Sequence, residues 1–301
     1  MLTACKNIAF YPQIYFRANG TTVDPKVKCD DYSEFKSKGS RLHEVLGNDM
    51  PIYFKVPGVD NKYDIVSHIY PYGEVHLMLM PNKDGNNSLL TDYKTNRGPL
   101  IKSINSTVKL LQKAYPNRNI IILESGSTED MKNRNKYGII PAHLHFVVPP
   151  ENNNLDFDRF KSVLKKKFED SDDWQCDFEK NTTTLENSDF DQVYSSLNRN
   201  MGTGDFPYSL YGVVKPNGKL DALHFATDQP YKRYPHFVSY KILAEELYNR
   251  TDSEYYDWKA LVSTPDRTAK QKQRIAECRE GLQNFLNKID ADIEDDTVII
   301  K

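Results

Sequence analysis

Residues 138–150 read GIIPAHLHFVVPP, and the fold turns on how this stretch is taken. The run is apolar and rich in strand formers apart from two histidines, so it reads as a β-strand. Successive side chains on a strand point to opposite faces. His143 and His145 therefore share one face, while Leu144 and Phe146 point the other way, toward a core. Two imidazoles side by side can be a solvated pair, ligands to a metal, a grip on an anion, or a pair doing acid–base and nucleophilic work. A metal would need a third and a fourth ligand. No H-E-x-x-H helix and no cysteine cluster offers them, although His76 or Glu124 could contribute.

Upstream of this strand, NIIIL (119–123) reads as a short buried strand. Glu124-Ser125-Gly126-Ser127 turns away from it, and the polar TEDMKNRNKY (128–137) reads as a loop. The spacing of Leu100, Ile104, Val108 and Leu111 predicts a helix from Pro99 to Ala114, with Pro99 in its first turn and Tyr115-Pro116-Asn117 stopping it. Before that come three β-rich runs: PIYFKV (51–56), YDIVSHIYPY (63–72) and VHLMLMP (75–81). A turn at Pro57–Asn61 follows the first, and Gly73 separates the last two. NKDGNNS (82–88) is a loop, and residues 1–50 read as an N-terminal extension.

After Pro150 the character changes. LDFDRFKSVLKKKF (155–168) is an amphipathic helix with Phe157, Phe160, Val163, Leu164 and Phe168 on one side. Residues 169–205 are polar and read as loop-rich. YSLYGVV and KLDALHFA form a hairpin about Pro216-Asn217-Gly218. Helices follow at about 236–248 and 268–289, the second with Ile275, Leu282, Phe285 and Ile289 on one face. These apolar faces need cover, and no Gly/Ser/Pro-rich linker divides the chain. Residues 151–301 are thus expected to pack on a core formed by 51–150.

Composition narrows the class of function. The 301 residues hold 40 basic and 42 acidic side chains, a formal net charge of -2, with 39% hydrophobic and 27% charged residues. That describes a globular chain with no overall field to gather nucleic acid or anionic lipid. Cys5, Cys29, Cys176 and Cys278 make no C-x-x-C pair, which argues against a zinc knuckle or dithiol redox site and suggests reduced thiols in the cytoplasm. MLTACKN has neither a basic nor an apolar region ahead of Cys5, so no leader is expected, and no apolar run is long enough to span a bilayer.

The string GIIPAHLHFVVP resembles the signature of the histidine-triad (HIT) superfamily, in which alternating histidines lie on a strand. The upstream Glu-Ser-Gly is similar to that family's turn before the loop. VHLMLMPNK, with His76, Pro81 and Lys83, looks like its earlier strand running from a histidine to Pro-x-Lys. The core likeness covers residues 51–150, and a weaker one continues through FPYSLYGVV, PHFVSYKILAEEL and YYDWK. The resemblance implies an α+β fold with an antiparallel sheet. It further implies hydrolysis or transfer on a nucleoside 5′-phosphate ester, anhydride or amidate. His143 would be the nucleophile forming a covalent nucleotidyl-histidine, and His145 would donate to a phosphate oxygen. His76, Gly126, Ser127, Glu124 and Lys83 would surround the phosphate. No cofactor or metal enters this expectation. The only partner implied is a nucleotide-type small molecule, not a membrane or bulk nucleic acid. The family's first histidine is replaced by Pro141, which keeps open a binding module that holds a nucleotide or docks a partner without turnover.

Overall fold

The computed structural model describes residues 53–68, 72–82, 88–126, 142–153, 155–170, 177–201, 208–226, 238–251, 269–294 and 297–301. The N-terminal extension at 1–50 lies outside them. The described strands are β1 (Tyr53–Lys55), β2 (Tyr63–Ser67), β3 (Val75–Pro81), β4 (Ile120–Gly126), β5 (Leu144–Val148), β6 (Thr182–Ser188), β7 (Tyr208–Val214), β8 (Leu220–Ala226), β9 (Ala291–Glu294) and β10 (Thr297–Ile300). They make a single sheet in the order β6-β8-β7-β4-β5-β3-β2-β1-β10-β9. Its centre, β4-β5-β3-β2, comes from residues 51–150, and strands from the C-terminal half extend it on both flanks. The pairs are antiparallel apart from β1 with β10, so the fold is α+β with a mixed sheet rather than a wholly antiparallel one.

The pleat sorts the sheet into two faces. On one, Leu77, Leu79, Ile120, Ile122, Leu144 and Phe146 join the main core with Leu100, Ile104 and Leu111 of α1 (Leu89–Ala114). Helix α4 (Phe190–Met201) adds Phe190, Val193 and Leu197 to this core, and α6 (Ala269–Leu286) adds Phe285. Side chains of opposite parity face α2 (Phe157–Glu169), α3 (Phe178–Asn181) and α5 (Val238–Tyr248). There Phe160 of α2 meets Tyr211, and Phe168 meets Phe225. No helix among the described residues is long and apolar enough to cross a membrane.

Three departures from the sequence expectation have physical reasons. Helix α1 begins at Leu89, capped by the Ser88 hydroxyl, ten residues before Pro99. Pro99 has no N–H, and its ring crowds the carbonyl four residues back. The helix therefore breaks at Asn96 (φ -134°, ψ 37°) and restarts, so Pro99 marks a restart and not the beginning.

The stretch 169–205, expected to be loop-rich, contains α3, β6 and α4. Strand β6, TTTLENS, lies at the sheet's edge among the described residues, where a polar composition is tolerated. Helix α4 opens with a reciprocal cap. Gln192 N–H donates to Asp189 Oδ1 at 2.8 Å, and Asp189 N–H donates to Gln192 Oε1 at 2.9 Å. Finally, Glu124-Ser125-Gly126, expected to turn away, continues β4, because β7 pairs with it as far as Gly126 opposite Tyr208; TVII at 297–300, unassigned from the sequence, is strand β10, paired with β1. The helix at 155–168 and the hairpin about Gly218 form as expected, the helix running Phe157–Glu169 with Val163 only half-buried.

Gly73 shapes the entry to β3. Its φ is +80°, and a Cβ there would sit 2.2 Å from the Val148 carbonyl oxygen. The glycine lets β3 close against β5, with Glu74 N–H donating to Val148 O at 2.8 Å.

Phe285 tests whether the C-terminal half is integral to the core. It is fully buried, with its ring centroid 5.9 Å from Phe54 and 6.3 Å from Tyr115. Phe285→Ala is expected to cost about 3–5 kcal/mol in denaturant unfolding, within one shared transition. A loss under ~1 kcal/mol, or a separate transition for the C-terminal half, would contradict this packing.

Candidate active site

The site forms where β2, β3 and β5 lie side by side. The β2–β3 register pairs Ser67 with Leu77 and continues outward as His68 N–H donates to the His76 carbonyl at 2.9 Å. His68 and His76 are thus directly opposite, on one face. The β3–β5 register pairs Met78 with His145 and His76 with Val147, which sets His145 diagonally across from His76 on that same face. Leu144 and Phe146 are fully buried on the α1 side. His143, just ahead of β5, is half-buried beside His145, the two rings edge to face with centroids 4.5 Å apart.

Three of these rings are buried: His68, His76 and His145 are 7%, 1% and 6% exposed. His68 and His76 stack in parallel at 4.3 Å and 4°, and His145 is tilted across both at 5.5 and 5.0 Å. The hydrogen bonds assign the protons. Tyr72 N–H donates to His76 Nδ1 at 3.3 Å, so that nitrogen presents its lone pair. A neutral His76 then carries its proton on Nε2, which lies 2.9 Å from His145 Nδ1 and donates to it. His145, accepting at Nδ1, holds its own proton on Nε2. Burial, reinforced by the nearby His143, His76 and His68, drives the His145 pKa well below its ordinary value, so it is a neutral donor at physiological pH.

Helix α5 roofs the cluster. Tyr240 stands 5.8 Å from His68 and 5.9 Å from His145, ring to ring, with its hydroxyl 3.5 Å from His68 Nε2. It also stacks on Tyr72 at 5.3 Å. The C-terminal half thus supplies a wall of the site.

Of the residues singled out in the sequence, His143, His145 and His76 come together. Glu124 and Gly126 do not join them. Leu123 pairs with His145 and shares its face, so Glu124 points through the sheet to the α1 side. There its carboxylate is 1% exposed and accepts from Leu89 N–H at 3.0 Å, from Tyr194 Oη at 2.6 Å and from Tyr208 Oη. Tyr208 Oη in turn accepts from Leu90 N–H at 3.2 Å. Together with Ser88, this network satisfies the first-turn N–H groups of α1, where a negative charge also suits the helix dipole. Gly126 leaves space for Tyr208, since a Cβ there would lie 2.1 Å from its ring. Lys83, Ser127 and Pro141 lie outside the described residues.

His68 was missed by sequence reasoning, which saw no special setting for it. Its signal was the parity of YDIVSH: His68 shares a face with Asp64 and Val66, and only the β2–β3 register shows that this is the histidine face.

No protein-family model matches the chain, and no curated protein or solved structure does so either. The site is therefore read from its own chemistry.

Glu124 generates a pH prediction. Burial pushes its pKa up to about 7, only partly offset by the bonds from Tyr194, Tyr208 and Leu89. The folded protein then holds this proton more tightly than the unfolded chain does. The stabilising contribution is complete below the ordinary carboxylate range and is lost as pH rises toward about 7. Glu124→Gln, which cannot ionise, should gain stability relative to the parent as pH climbs through that window. Parallel melting curves of parent and variant across the window would rule out this account of the carboxylate.

Proposed function

We propose that the protein transfers or hydrolyses nucleotidyl groups through a covalent intermediate on His143. The observation that carries this reading is a half-buried imidazole set against a buried, neutral one whose tautomer is fixed by a third. A neutral imidazole is a competent nucleophile near neutral pH, its reference pKa being roughly 6.5. The His143 lone pair attacks phosphorus, an N–P bond forms, and the bond from phosphorus to the leaving group breaks. Water or a second acceptor then cleaves the N–P bond and releases the imidazole. His145 keeps its Nε2–H as a donor because Nδ1 is committed to His76. A donor held in a dry setting stabilises the charge that builds on a phosphate oxygen.

The resemblance of PAHLHFVV and VHLMLMPNK to HIT strands supports the same assignment of roles. His76, placed next to His145 on the adjacent strand, acts through His145 and is a positioning residue. Pro141, standing where the family has its first histidine, favours a second reading, a site that binds a nucleotide without turning it over.

The two are separated by His143→Ala and His145→Ala, assayed on a nucleoside phosphoramidate and a dinucleotide. His143→Ala should fold normally, abolish turnover and abolish the acid-labile nucleotidyl adduct. His145→Ala should lower turnover by about 10²–10³, the usual cost of a lost oxyanion donor, and still form the adduct. Near-normal turnover in His143→Ala would overturn the covalent reading. Nucleotide-dependent thermal stabilisation with no turnover or adduct in the parent would establish the binding module instead.

A further inference from the structure

The three buried histidines that support His143 form a group of their own. His68, His76 and His145 each offer one ring nitrogen, and these nitrogens lie within 4.8 Å of one another. Three neighbouring strands deliver them. The parallel pair His68 and His76 presents its edges to His145, which is tilted by 53° and 57° to the two rings. We propose that His68, His76 and His145 constitute a divalent transition-metal site, best suited to Zn(II), with its open side toward Tyr240.

The donor set favours this ion. Three imidazoles suit zinc and its neighbours, whereas magnesium, calcium and manganese prefer oxygen. Among the described residues, no carboxylate or thiolate belongs to the group. Tetrahedral zinc at about 2.0–2.1 Å from each nitrogen needs nitrogens roughly 3.4 Å apart. The His76–His145 contact at 2.9 Å has to widen slightly, by rotation of the side chains about fixed strands. A metal ion takes a lone pair from all three rings at once, and the Tyr240 hydroxyl or a water could complete the set.

One hydrogen bond must change. Metal on His76 Nε2 moves its proton to Nδ1, which now accepts from Tyr72 N–H. At 3.3 Å that is among the longer bonds in the cluster, and the Tyr72 peptide would turn away. Metal on Nδ1 of His145 leaves its Nε2–H in place. The metal would take over from His76 the task of occupying Nδ1 of His145, so the nucleotidyl reading keeps its donor with or without the ion, and either proposal can fail alone.

The test uses the full chain, stripped with chelator and titrated with Co(II) and with Zn(II) against a chromophoric chelator. One equivalent of Co(II) should give the intense visible bands of a four-coordinate site with three nitrogens and one oxygen, displaced by Zn(II) and untouched by excess Mg(II). His68→Ala and, as a gentler change, His68→Gln should each lower Zn(II) affinity at least a hundredfold while circular dichroism shows the parent fold. His143→Ala, outside the group, should bind metal as the parent does. No stoichiometric Co(II) or Zn(II) binding by the parent would overturn the proposal. So would binding that survives in a folded His68 variant, or that is lost in His143→Ala and kept in His68→Gln.

Discussion

The pleat of β5 is the constraint on which the rest depends. With Leu144 and Phe146 committed to the core beneath α1, His143 and His145 have no choice of face. The same parity, carried across the sheet by backbone pairing, brings His76 beside His145 and His68 opposite His76. It also sends Glu124 the other way. A one-residue slip of β5 would bury two imidazoles in an aliphatic core and turn Leu144 and Phe146 toward α5. The register is thus held by hydrophobic burial, and the chemistry follows from it.

Much of this was legible in the sequence. Period-two alternation in PAHLHFVV put His143 and His145 on one face, and the β-rich composition of VHLMLMP located β3. The amphipathic spacing of Phe157, Phe160, Leu164 and Phe168 located α2, and Pro216-Asn217-Gly218 located the hairpin. What stayed hidden depends on pairing between distant segments. His68 gains its role only from the β2–β3 register. Tyr240 reaches the cluster from α5, more than ninety positions beyond His145, and nothing local signals that. TVII at the C-terminal end is a strand because β1 accepts it as a parallel neighbour. The errors that were avoidable are local ones: the Asp189–Gln192 cap and the apolar face of α4 stood in the sequence, masked by the polarity around them.

Glu124 shows how a resemblance can assign a residue to the right neighbourhood and the wrong side. It lies one residue from Leu123, the partner of His145, yet its carboxylate serves the first turn of α1 through Leu89, Tyr194 and Tyr208. The sheet therefore carries two buried polar centres back to back. One is a carboxylate that fixes a helix, and the other is an imidazole cluster with its roof on the C-terminal half.

His76 and His145 form a directed pair that leaves a donor on the Nε2 of His145. Nitrogen-15 correlation spectra of the imidazoles in the chelator-treated protein test it most directly, because neutral tautomers have distinct nitrogen shifts. His76 and His145 should both be neutral with the proton on Nε2 at neutral pH. A His145 carrying its proton on Nδ1, or protonated on both nitrogens, would contradict it.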